Sequence, residues 1–71
     1  MGDEKLIMWI DYKKVNNLTT AETWKNLLEA EGLPTKIIPE NGLLEWSEKS
    51  NFRILVPKGR EHVADEIIRK I

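Results

Sequence analysis

A chain of 71 residues with eleven basic and twelve acidic side chains, formal charge −1, is the size of one domain and lacks the basic field of a dedicated phosphate-backbone binder. A domain this small buries only roughly 60% of the surface of its unfolded chain, and small folds offset that deficit with disulfides, a metal or self-association. With no cysteine and a single histidine, His62, a disulfide framework and a zinc knuckle are excluded, which leaves oligomerisation as the open route.

The chain begins MGDEKLIMWIDY, with acids ahead of an apolar run too short to span a bilayer. Neither a signal peptide nor a transmembrane helix fits, so a cytoplasmic protein is the expectation. Residues 5–12, KLIMWIDY, read as a first strand, rich in β-branched and aromatic side chains and bounded by charge. Lys13 to Leu18 read as a polar connection, with Lys13-Lys14 as solvated charges. Thr19-Thr20-Ala21-Glu22 then fits a capping box, in which Thr19 and Glu22 satisfy each other's backbone N–H groups. Ala21, Trp24, Leu27 and Leu28 recur at helical spacing on one face, which marks Trp24 as core.

The helix stop is written in Leu28 to Pro34. If the helix ends near Glu31, Gly32 takes the left-handed position after it, and Leu33 is paired with Leu28 across a Schellman turn. Pro34 forbids continuation and pushes Leu33 towards extended geometry. Residues 35–38 form the second strand, and Glu40-Asn41-Gly42 is a turn signal. The segment 40–51 holds Leu43, Leu44 and Trp46 among polar residues, too long for a tight hairpin and too apolar for an idle linker. Phe52 to Val56 is the third strand, ended by Pro57. From Gly59 a second helix presents Val63, Ala64, Ile67, Ile68 and Ile71 on one face, with Arg69 and Lys70 in its last turn, where cations suit the helix dipole.

The order β-α-β-β-α predicts one α+β domain over residues 1–71. A right-handed crossover through the first helix makes strands one and two parallel, with strand three between them and antiparallel to both. The expected architecture is a ferredoxin-like plait lacking its last strand, sheet order 1-3-2, with both helices on one face.

LLEAEGLP at residues 27–34, followed by ILVP at 54–57 and a helix bearing Ala64, resembles a family of small prokaryotic signal-transducing domains of unsettled activity. The resemblance covers about residues 6–70, and its motifs are a cap, a turn, a strand end and a packed helix. It implies an architecture similar to the PII-type (GlnB-like) regulators, ferredoxin-like trimers that bind ATP and reach partners with a long loop between strands two and three. That loop corresponds to about residues 40–51. This chain is much shorter than those regulators, lacks the fourth strand and shows no glycine-rich or basic nucleotide site, so ATP binding is not carried over.

No catalytic set is written in the chain. Ser47 and Ser50 are its only serines, His62 has no indicated nucleophile or orienting partner, and no cofactor fingerprint occurs. Lys58-Gly59-Arg60 ahead of the second helix could hold an anion, but no phosphate-binding glycine loop accompanies it. The leading expectation is a non-enzymatic regulatory or protein-interaction domain that self-associates. Its candidate partner-binding residues are Leu43, Leu44, Trp46 and Trp9, exposed tryptophan being a residue on which interfaces concentrate energy; the bland alternative folds Trp46 back to close the small core. The competing reading is a single-stranded nucleic-acid module using Trp9 and Arg53 on the open sheet face, against which stand the acidic balance and the mismatch of NFRILVP to the aromatic pattern of such sheets.

Face counting carries the self-association expectation. If Phe52, Ile54 and Val56 meet the helices, the other face keeps large apolar side chains, including either Trp9 or Met8. Strand one is then an edge with no strand beyond it. The expected product is a homo-oligomer through that face or edge, unless the 40–51 loop covers the surface instead.

Overall fold

The computed structural model describes residues 7–42 and 47–70. Five elements follow in order: β1 (Trp9–Val15), α1 (Leu18–Ala30), β2 (Lys36–Pro39), β3 (Phe52–Pro57) and α2 (Glu61–Arg69). The sheet order is β1-β3-β2, with β3 antiparallel to both neighbours. This is the expected α+β plait missing a strand.

The alternation in β3 sets the two faces. Phe52, Ile54 and Val56 are fully buried and share one core with Ala21 and Leu28 of α1 and Ala64 and Ile67 of α2, so both helices cover the same side. Arg53, Leu55 and Pro57 point to the helix-free side. Ala21 and Ala64, each fully buried, let the helix backbones approach the sheet closely.

β1 departs from expectation at both ends. It starts at Trp9 and runs through Lys13 and Lys14 to Val15, so residues 13–15 are strand rather than connection. A bulge between Asp11 and Lys13 explains why the pattern hid this: Asp11 opposes Leu55 and Lys13 opposes Ile54, leaving Tyr12 as the extra residue. Tyr12 and Lys13 consequently both reach helix residues, Tyr12 donating to Asp65 and Lys13 lying 5.2 Å from the Trp24 ring centroid. Alternation then resumes, and Val15 closes the core at 6% exposure. Trp24 is only half-buried, packed on the core rather than within it.

The α1 cap is also not the expected one. Asn17, not Thr19, is the N-cap, its Oδ1 accepting from the Thr20 N–H at 2.7 Å. Asparagine at the N-cap, immediately before the first helical residue, does this as well as threonine. The Thr19 hydroxyl instead donates 2.9 Å to Glu48 Oε1.

The C-terminus matches expectation atom by atom. The Gly32 N–H donates to the Glu29 carbonyl at 2.9 Å and the Leu33 N–H to the Leu28 carbonyl at 3.0 Å, the paired bonds of a Schellman turn. Gly32 has φ +89°. A Cβ there meets no atom within 4 Å, so the penalty for a side chain is backbone strain alone. Gly32→Ala is therefore expected to destabilise the domain by about 1 kcal/mol; an unchanged or raised melting temperature in a thermal melt would contradict it. β2 begins at Lys36 and ends at Pro39, one residue later than expected, and α2 begins at Glu61, after the turn at Gly59.

Candidate partner-binding surface

Of the residues expected to bind a partner, Leu43, Leu44 and Trp46 lie outside the described residues, as does Ile71 of the expected α2 stripe. Trp9 lies on the helix-free sheet face, opposite Pro57.

That face is less open than alternation alone implies. Trp9, Ile38 and Leu55 share it, yet all three are half-buried. Long charged side chains cross the sheet above them. Lys36 Nζ on β2 sits 4.7 Å from the Trp9 ring centroid on β1, a span that carries its methylene stem across β3. Lys14 Nζ reaches Glu40 Oε2 at 3.2 Å, and Arg53 Nη1 approaches Asp11 Oδ2 at 3.4 Å. Such exposed pairs add little stability each. Their consequence is that the cations of the face already have partners, which weakens the nucleic-acid reading. The β1 edge carries a bulge and two lysines, and β2 ends in Pro39; both are features that discourage edge-to-edge pairing.

The apolar surface lies instead at the end of the sheet. The backbone of Met8 stays paired beyond β1, its carbonyl accepting from the Lys58 N–H at 2.7 Å. Its side chain is the one large apolar group exposed among the described residues, at 64%. It lines a groove of about 620 Å³ together with Ile7, Leu33 and Pro34, rimmed by Lys58 and Arg60. Ile7 and Pro34 also line a neighbouring depression of about 500 Å³ that contains Trp9 and Lys36. Sequence reasoning named Trp9 as a binding residue, offered Met8 only as its alternative on the open sheet face, and missed this groove. The groove forms only when the segment before Trp9, the Gly32–Pro34 turn and the chain after Pro57 meet, and no local pattern announces that meeting.

The base of the β2–β3 connection is tied down. Glu48 accepts from the Thr19 N–H at 3.2 Å as well as from its hydroxyl, and the Glu48 carbonyl accepts from the Leu18 N–H at 3.0 Å. The carboxylate thus serves the Thr19 amide in the first turn of α1, where negative charge is favoured. Glu48→Ala is expected to destabilise by about 1 kcal/mol and to speed amide exchange at Thr19, whose N–H bonds to the carboxylate; unchanged exchange there would contradict the tie.

Burial first, then the hydrogen bond to Asp65 and its charge, push the Tyr12 phenol from 10.0 up to about 12. A folded-state value above the unfolded one stabilises the protonated form, so this contribution is complete below pH 10 and is lost as pH rises from 10 to about 12. Tyr12→Phe is expected to remove that part of the alkaline decline. Equal slopes of stability against pH in the two proteins would contradict it.

His62 is an exposed helix residue. Among the described residues no group of three or more acidic or histidine side chains is placed to hold a metal ion, and no helix is long and apolar enough to cross a membrane. Comparison with protein-family models, with curated proteins and with solved structures returns no match to this chain.

Proposed function

We propose that this chain is a small non-enzymatic regulatory domain that works by binding a protein partner, and that the partner docks at the sheet end formed by Ile7, Met8 and Trp9. The observation that carries this reading is Met8: a large apolar side chain, 64% exposed, whose backbone is pinned to Lys58 and which stands over an apolar groove beside a tryptophan. A methionine is a soft, adaptable contact, and apolar surface kept in water marks interaction sites when it is contiguous with a pocket. The resemblance to small signal-transducing domains agrees with this role.

Self-association through the open face or the β1 edge is a second route to such a role. Trp9, Ile38 and Leu55 on one face favour it, while the cross-sheet lysines and the bulge oppose it. Sedimentation velocity over a range of concentrations reads it directly, a monomer throughout counting against a homo-oligomer.

The partner reading is tested by affinity capture with the wild-type chain and with Met8→Asp and Trp9→Ala, followed by rebinding of each purified candidate. A protein that rebinds the wild type and loses affinity for both variants supports the reading. Candidates that bind all three chains equally overturn it.

A further inference from the structure

The groove at the sheet end is not uniformly apolar, and its charges differ from most others among the described residues. Among the described residues, Lys14, Lys25, Arg53, Arg69 and Lys70 are in ion pairs, and Lys13 and Lys36 lie over tryptophan rings. Lys49, Lys58 and Arg60, all exposed, have no side-chain partner among those residues, and of these three Lys58 and Arg60 rim the groove that Met8 lines. Glu61, the next acid along the chain, is turned back to the Gly59 N–H, which donates to its Oε1 at 2.8 Å.

The geometry points to a defined class of partner: a peptide segment that seats an aliphatic or aromatic side chain against Ile7, Met8 and Leu33 and sets an adjacent aspartate or glutamate between Lys58 and Arg60. This rests on the protein-interaction reading and specifies its ligand. Leu33, at 2% exposure, belongs to the core and forms a fixed floor. Met8 is held by its backbone bond to Lys58, so the apolar wall and one rim cation are fastened to each other. The backbone framing the groove is thus ordered before a ligand arrives, and the side chains of Met8, Lys58 and Arg60 are what binding must still immobilise. Cations with no partner of their own gain contacts from an acidic ligand without breaking any, and such pairs fix orientation and raise association rates.

The test is selection of random phage-displayed peptides on the immobilised full chain, with enriched peptides measured by fluorescence anisotropy against the wild type, Lys58→Glu/Arg60→Glu and Met8→Asp. All three positions are exposed, and a thermal melt checks that each variant folds. The expected consensus places an acid within a few residues of an apolar anchor. Affinity should fall by about tenfold or more with both cations reversed, fall with Met8→Asp, and weaken with added salt. A basic or uncharged consensus overturns the inference. So does an acidic consensus whose affinity ignores the variants, although the protein-interaction reading then survives. Dimerisation abolished by Lys58→Glu/Arg60→Glu, with no peptide enriched, would assign the groove to a second copy of the chain. No enrichment together with an unchanged monomer would overturn both readings.

Discussion

Phe52→Ala is expected to destabilise the domain by about 3–5 kcal/mol, the largest effect of any single truncation considered. Phe52 is fully buried at the start of the central strand. It faces Val15 on β1 and Pro39 on β2, both buried as well, so one layer of the core crosses the whole sheet at this point. Removing the ring opens a cavity where all three strands meet, and neighbours on either side are held by backbone pairing and cannot collapse into it. At roughly 0.05–0.15 kcal/mol per residue, a domain of this length has only about 4–11 kcal/mol in total. The melting temperature should therefore drop by roughly 12–40 °C, read by circular dichroism. A loss under about 1 kcal/mol would mean that Phe52 is not in the core and that the sheet faces are reversed.

Leu28→Ala is expected to follow, at about 2–5 kcal/mol. Leu28 belongs to two structures at once. Its side chain is fully buried in the core, and its carbonyl accepts from the N–H groups of Glu31 and Leu33 where α1 ends. Leu33, the other half of that turn, is buried in the same cluster. If the helix stop and the core are one unit, Leu28→Ala and Leu33→Ala should be non-additive, because the second truncation removes a contact the first has already lost. Chemical denaturation of both single variants and the double variant gives the coupling. Strict additivity would show that the turn is held by its backbone bonds alone.

That helix stop shows what is legible in the chain. Gly32, Leu33 and Pro34 act through φ, a missing N–H and a contact within one turn, all of it local chemistry, and structure and expectation agree. The β-α-β-β-α order and the inward face of β3 were legible for the same reason, since strand alternation and connection handedness need no distant information. The end of β1 was hidden because a bulge at Tyr12 breaks the two-residue period, turning Lys13-Lys14-Val15 into a strand that reads as a loop. The helix start was misread because Thr19 bonds to Glu48, 29 residues away, and a capping box supposes a local partner. The candidate site divides in the same manner. Trp9 was visible from alternation, whereas the groove unites residues from positions 7 and 8, 33 and 34, and 58 and 60, which only the folded chain brings together.

The open face also corrects a common inference from alternation. Apolar residues on the uncovered side of a sheet suggest a sticky surface, but Lys36 over Trp9 and Arg53 beside Asp11 shield much of it with side chains that remain solvated at their tips. Among the described residues the large apolar side chain left in water is Met8, beyond the last strand pair, so the proposed docking surface lies at the sheet end rather than on the sheet face.

The central claim is that a protein partner docks at this end of the sheet. Amide chemical-shift mapping of the isotope-labelled chain, on addition of a saturating captured partner, tests it most directly. The account predicts that the largest changes fall on Ile7–Trp9, Gly32–Leu33 and Lys58–Arg60, with little change at Lys14, Ile38 and Arg53. Changes centred on Lys14, Ile38 and Arg53, with Met8 and Lys58 unmoved, would contradict it.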